Sequence, residues 1–136
     1  MLGRRIADPL GIEGTPTDVE GLGLLDVETI LSPAKTLRHV KGSALNAAVE
    51  GYEMHMGETR GPATTAPFAM LADGARDGAV SRDGHVIGSY LHGLFASPGL
   101  RRALLSRIGV VGSGRDYIAD VDTAPDDIAA EFAAHA

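Results

Sequence analysis

The chain has 136 residues, 44% of them hydrophobic and 22% charged, enough for one folded core but not for two. Twelve Lys and Arg against eighteen Asp and Glu give a formal charge of -6, which argues against nucleic acid as a partner. Zero cysteine excludes disulfides, zinc–thiolate sites, iron–sulfur clusters and a thiolate nucleophile within the chain.

The opening Met1-Leu2-Gly3 has no cap or polar lead-in and reads as the interior of an element. Arg4 and Arg5 precede no apolar signal region, and no run of about 18 apolar residues could cross a membrane, so a cytoplasmic protein is expected. Ile6 to Thr17, with two Pro and two Gly, reads as a loop. Val27, Thr29 and Leu31 alternate as a strand does, and further short strands are predicted at Thr36 to Val40 and Val49 to Met56. Between Ala79 and Tyr90, Asp83-Gly84 fits a two-residue type I′ turn, which would pair Arg82 with His85, Ser81 with Val86 and Val80 with Ile87. An apolar strand from Val86 to Leu91 then leads to His92. Ser97-Pro98 reads as N-cap and first helical residue, Leu100, Leu104 and Ile108 as an apolar stripe, and Gly109 as the stop. A second helix is predicted from about Pro125, with Asp126 and Asp127 at its N-terminal end and Ile128 and Phe132 on a buried face. Strands thus come first and helices last.

Among the five histidines (39, 55, 85, 92 and 135), His92 ends an apolar strand and is followed by Gly93. A strand end can hold a side chain rigidly in a cleft, and the glycine admits a close neighbour. The same position also suits a half-buried histidine that only satisfies a backbone hydrogen bond. Ser89, three positions back on the strand, falls on the opposite face and is a poor nucleophile for it. In Gly51-Tyr52-Glu53-Met54-His55-Met56-Gly57-Glu58, an extended backbone puts Glu53 and His55 on one face. That pair suits acid/base work or, with Glu58, metal ligation; HExxH spacing is absent and no metal is expected. Asp73-Gly74, Asp77-Gly78 and Asp83-Gly84 read as turns rather than a calcium loop. Gly21-Leu22-Gly23 and the glycines after Ile108 complete no nucleotide fingerprint.

Three strings occur in order: GYEMHMGET (51–59), APF (66–68) and DGAVSRDGHVIGSYLHGLF (77–95). Together with EGTPTDVEGLGLLDVET (13–29), they resemble the later part of the glutamine amidotransferase domain of the cobyric acid synthase family. The resemblance runs from Met1 to about Ile108, and the final helix matches more loosely. It implies an α/β fold: a partial class I, flavodoxin-like amidotransferase domain, β-rich at first with C-terminal helices, forming a single domain over 1–136. It also implies an enzyme that amidates corrin carboxylates in cobalamin synthesis, using glutamine and ATP. In that family a cysteine attacks the glutamine amide and a histidine carries the proton. The matching histidine is His92, within Tyr90-Leu91-His92-Gly93. The usual His-Pro-Glu ending is missing, so the resemblance assigns no third, orienting group. Glu53 and His55 are expected near the cleft in a supporting role.

The family's nucleophile lies in a Cys-Gly-Gly-Tyr-Gln-Met-Leu-Gly elbow, and Met1-Leu2-Gly3 matches only its last three residues. The nucleophile, the strand feeding it, and the domain holding ATP, Mg and the corrin are therefore expected outside this chain. The chain alone is expected to be inactive, to bind no cofactor, and, with sheet edges and apolar surface uncovered, to be either marginally stable or rescued by self-association. Two alternatives stand beside this reading. One is a related amidotransferase, for cobyrinic acid a,c-diamide or a peptidoglycan precursor; the other is a non-catalytic structural or partner-binding domain.

Overall fold

The computed structural model describes the backbone of residues 1–111 and 117–134 and, in the last helix, the side chains at 121, 123, 125 and 128–134. Its main feature is a mixed seven-stranded sheet. Strand β1 (Arg5–Asp8) pairs antiparallel with β2 (Thr17–Glu20) and parallel with the start of β3 (Glu28–Ala44). β3 forms a long antiparallel ribbon with β4 (Ala47–Arg60), and its far end also pairs with β5 (Ala69–Leu71), which pairs with β6 (Arg76–Asp77). A separate two-stranded sheet joins β7 (Ala79–Val80) to β8 (Ile87–Gly88), and β9 (Leu91–His92) returns to β4. Helices α1 (Pro98–Arg107) and α2 (Tyr117–Ala134) follow, so the α/β class and the order of strands before helices hold.

Several local expectations are corrected. The segment read as a loop contains β1 and the start of β2, because Asp8 ties their connection together. Its carboxylate accepts the backbone N–H groups of Ile12 (2.8 Å) and Glu13 (2.9 Å), and Gly11 supplies a positive φ of 65°. The two strands predicted at Val27 to Leu31 and Thr36 to Val40 are one strand interrupted by a bulge. Between the Ile30–Glu58 and Lys35–Met56 pairs, residues 31–34 of β3 face Gly57 alone. Pro33 lies in that bulge, where its missing N–H breaks no ladder bond. The ribbon turns through Leu45 (φ 50°) and Asn46 (φ 60°). This is a two-residue, positive-φ connection without the usual glycine, and Leu45 offsets its conformational cost by packing on the core.

The 79–88 hairpin keeps the expected Val80–Ile87 pair, and Ser81 N–H donates to the Val86 carbonyl, but the turn differs. Gly84 N–H donates to the Ser81 carbonyl, which centres the turn on Arg82 and Asp83, and Gly84 alone has positive φ. The run from Val86 to Leu91 is also broken. β8 belongs to the small sheet and β9 to the large one, and the chain crosses between them at Ser89-Tyr90.

Helix α1 begins as expected, with Ser97 Oγ accepting from Leu100 N–H at 3.3 Å and donating to the Ala48 carbonyl at 2.7 Å, which ties the helix to β4. It ends in a Schellman motif: Gly109 N–H donates to Ser106 and Val110 N–H to Leu105. Leu100 is fully buried and Leu104 packs against the core, whereas Ile108 is 73% exposed, because it stands at the C-cap beyond the last turn that meets the sheet. Helix α2 starts at Tyr117 and carries Pro125 inside it, so Asp126 and Asp127 occupy mid-helix positions rather than its N-terminal end. Their side chains lie outside the described residues, as does His135. Ile128 and Phe132 are exposed, contrary to the buried face that their spacing suggests.

Apolar burial divides into two clusters. One gathers Val40, Ala44, Val49, Phe68, Leu71, Leu91 and Leu100 around the turn end of the ribbon, and the other gathers Leu25, Val27 and Ala79 near its open end.

Candidate functional site

Between the ribbon's open end and the small sheet lies a cleft of about 890 Å3. Leu25, Val27 and Ile87 give it an apolar wall, while Glu53, His55 and Tyr90 give it a polar one. The strand period sets which side chains reach it: Glu53 and His55 on β4 share a face with their cross-strand partners Arg38 and Thr36. Arg38 Nε donates to Glu53 at 2.6 Å and its Nη1 to Asp73 at 2.5 Å. The paired carboxylates hold the Arg38 guanidinium above its ordinary range, first through the hydrogen bond to Asp73 and then through that to Glu53. Glu53 in turn meets His55 Nε2 at 3.1 Å, and His55 Nδ1 donates to the Gly57 carbonyl at 3.1 Å. Both ring nitrogens thus face oxygen acceptors. Tyr90 lies against the His55 ring, with centroids 4.8 Å apart. Its hydroxyl bonds Thr59, which meets Thr29 at 2.7 Å across the β3–β4 pair.

The expected acid/base neighbours are thus together in the cleft, as Glu53 and His55. His92 is elsewhere. It pairs with Tyr52, so it shares Tyr52's face of the sheet, opposite to Glu53 and His55. Its side chain is exposed, and its Nδ1 lies 3.1 Å from the Tyr90 carbonyl. Ser89 does not face His92 either; its hydroxyl donates to Asp77. Among the described residues no group of three or more His, Cys, Asp or Glu is placed to hold a metal ion. No described helix is long and apolar enough to cross a membrane.

Three residues matter more than their sequence context signals. Gly51 lets two strands approach, because a Cβ there would lie 2.2 Å from the His92 carbonyl oxygen. Tyr90 lines the cleft and lays its ring on His55. Asp77 is 4% exposed and accepts from both Ser89 Oγ and Tyr90 N–H. Burial raises the Asp77 carboxyl above its ordinary value, partly opposed by those two hydrogen bonds. Asp73 and Asp83, in the same Asp-Gly pattern, cap exposed turns instead. Nothing in the dipeptide separates the three, although the string from 77 to 95 contains both Asp77 and Tyr90, and that from 51 to 59 contains Gly51.

Residues 1–100 match the CobB/CobQ-like glutamine amidotransferase domain, and the chain belongs to that family. Over 135 residues, 99% of the chain, it is 64% identical to the cobyric acid synthase of Sphingopyxis alaskensis and 63% identical to that of Rhizorhabdus wittichii. The cobyric acid synthase of Mesorhizobium japonicum is 50% identical over 137 residues. In each case the chain spans 28% of the relative's length.

Proposed function

We propose that this chain supplies the histidine part of a glutamine-hydrolysing site in a cobyric acid synthase. That enzyme converts corrin carboxylates to carboxamides during cobalamin synthesis, with ammonia drawn from glutamine and with ATP. Support comes from the similarity over 99% of the chain together with an accessible histidine at the end of β9, in the motif the family uses. The chain has no cysteine, so the nucleophile comes from the rest of the full-length protein.

In the proposed reaction the cysteine thiol passes its proton to His92 as sulfur attacks the glutamine amide carbon. His92 then gives that proton to the departing nitrogen, which leaves as ammonia, and water releases glutamate from the thioester. Among the described residues His92 Nε2 has no hydrogen-bond partner, and it is the nitrogen assigned to this proton. ATP and Mg are assigned to the remainder of the full-length enzyme. The cleft of this chain is unsuited to a triphosphate, since Glu53, Glu58 and Asp77 stand there against Arg76.

The test is glutamate release from glutamine by the chain alone, by the full-length protein and by its His92→Ala variant. The chain alone should show none. His92→Ala should lower kcat by roughly 10²- to 10⁴-fold, the span typical of a positioned acid/base group. Undiminished hydrolysis in that variant would remove His92 from the reaction.

A further inference from the structure

A histidine that takes a proton from a thiol needs one ring nitrogen held as N–H and the other left with its lone pair. In many such sites a carboxylate does the holding. Among the described residues no carboxylate touches His92; its polar contact is Nδ1 with the Tyr90 carbonyl, at 3.1 Å. A carbonyl oxygen can only accept, so Nδ1 is the donor and the neutral ring keeps its lone pair on Nε2. Free histidine favours the opposite tautomer, so this bond has to be enforced by the fold.

The enforcement is traceable. The Tyr90 carbonyl also accepts from Met54 N–H of β4, at 3.2 Å. On the other side of the same residue, Tyr90 N–H donates to Asp77 Oδ1 at 3.2 Å, and the preceding Ser89 hydroxyl donates to Asp77 Oδ2. Leu91 N–H donates back to Ser89 Oγ at 3.0 Å. One carboxylate therefore pins both residues of the crossover from β8 to β9, the strand that ends in His92. That carboxylate is buried, and neither of its side-chain contacts is to a cation, an arrangement that costs free energy. A turn-capping role does not account for it, because Asp73 and Asp83 cap their turns in solvent.

The geometry points to the Tyr90 backbone carbonyl as the group that orients His92, and to Asp77 as the positioning residue that holds this carbonyl in place. The inference rests on the reading of His92 as the proton carrier. It gives the site an orienting group where the family motif offers no third side chain, and it assigns a purpose to a buried acid that the reaction does not otherwise use.

The direct test is the tautomer of His92, read by two-bond nitrogen–proton couplings in the ¹⁵N-histidine-labelled chain at about pH 8, where imidazole is neutral. The His92 signals are assigned through a His92→Gln variant. The Nδ1–H form should dominate in the unmodified chain, fall to a minority in Asp77→Ala, and largely return in Asp77→Asn, which keeps an acceptor for Tyr90 N–H. In the full-length protein, Asp77→Ala should lower kcat for glutamine hydrolysis roughly 10- to 100-fold with KM nearly unchanged, and Asp77→Asn should restore most of it. A dominant Nε2–H form in the unmodified chain, or an unchanged tautomer in folded Asp77→Ala, overturns the inference. If Asp77→Ala does not fold by circular dichroism, Ser89→Ala, which removes one of the two bonds to Asp77, is read by the same criterion. Failure of the underlying function looks different: His92→Ala would then retain activity whatever the tautomer.

Discussion

Glu53 and His92 lie on opposite faces of one sheet, although Glu53 adjoins Tyr52, the residue that pairs with His92 across β4 and β9. Glu53 instead accepts from Arg38 and meets His55 in the cleft. The cleft cluster and the exposed histidine can therefore be separated experimentally. In the full-length protein, Glu53→Gln and His55→Ala should leave glutamine hydrolysis within about threefold of the unmodified enzyme while lowering the melting temperature, whereas His92→Ala loses hydrolysis. A loss in Glu53→Gln as large as that in His92→Ala would mean that the two faces work as one site.

Acid and neutral stability should respond in opposite senses to two aspartates. The Asp8 carboxyl is held below its ordinary value of 3.8, first by the Glu13 and then by the Ile12 backbone N–H. Its contribution is present above 3.8 and is lost as pH falls through the lower folded value. Asp77 is raised by burial, so its contribution is complete below 3.8 and is lost as pH rises through the higher folded value. Asp8→Asn should therefore lose stability at neutral pH and approach the unmodified chain in acid. Asp77→Asn should gain relative to the unmodified chain as pH rises. Denaturant melts at a series of pH values read both.

Leu100 is fully buried where α1 meets the sheet, and Ile108 at the end of the same helix is exposed. Leu100→Ala should cost about 3 kcal/mol through the cavity it leaves, and Ile108→Ala less than about 0.5 kcal/mol. Urea unfolding of the two variants distinguishes a core stripe that ends at Leu104 from one that continues to the helix end.

Two glycines with nearly equal φ separate conformational strain from collision. Gly57 (φ 84°) would place a Cβ 2.1 Å from the Ile30 carbonyl oxygen, whereas Gly74 (φ 85°) has no atom within 4 Å of that position. Gly74→Ala should cost roughly 1 kcal/mol and Gly57→Ala clearly more, since the β3 backbone must move. Equal losses in equilibrium unfolding would contradict the bulge geometry.

Where local chemistry decides structure, the sequence was readable. Ser97-Pro98 and Gly109 bound α1, and the Val80–Ile87 pair holds because its apolar alternation agrees with the turn. Long-range partners decided the rest. Arg5–Asp8 is a strand because Thr17–Glu20 and Glu28–Ile30 lie on either side of it, and Leu45-Asn46 turns without glycine because Leu45 has a core to enter. The cleft pair Glu53 and His55 followed from period two, but the side of the sheet taken by His92 depended on a two-residue pairing with Tyr52 that no local pattern encodes. Asp77 reads as an ordinary turn residue because burial, the property that sets it apart, is invisible in an Asp-Gly dipeptide.

The bulge opposite Gly57 has a consequence for how the ribbon opens. It interrupts the ladder between the Ile30–Glu58 and Lys35–Met56 pairs, and the two apolar clusters sit on either side of it. The larger cluster backs the turn end and the smaller one backs the cleft end. Amide exchange should therefore report two units rather than one, with slow protons in 40–44 and 47–51 and faster ones in 28–30 and 58–60. The cleft end can then loosen around an incoming segment while the half of the ribbon that carries β9 and His92 stays closed.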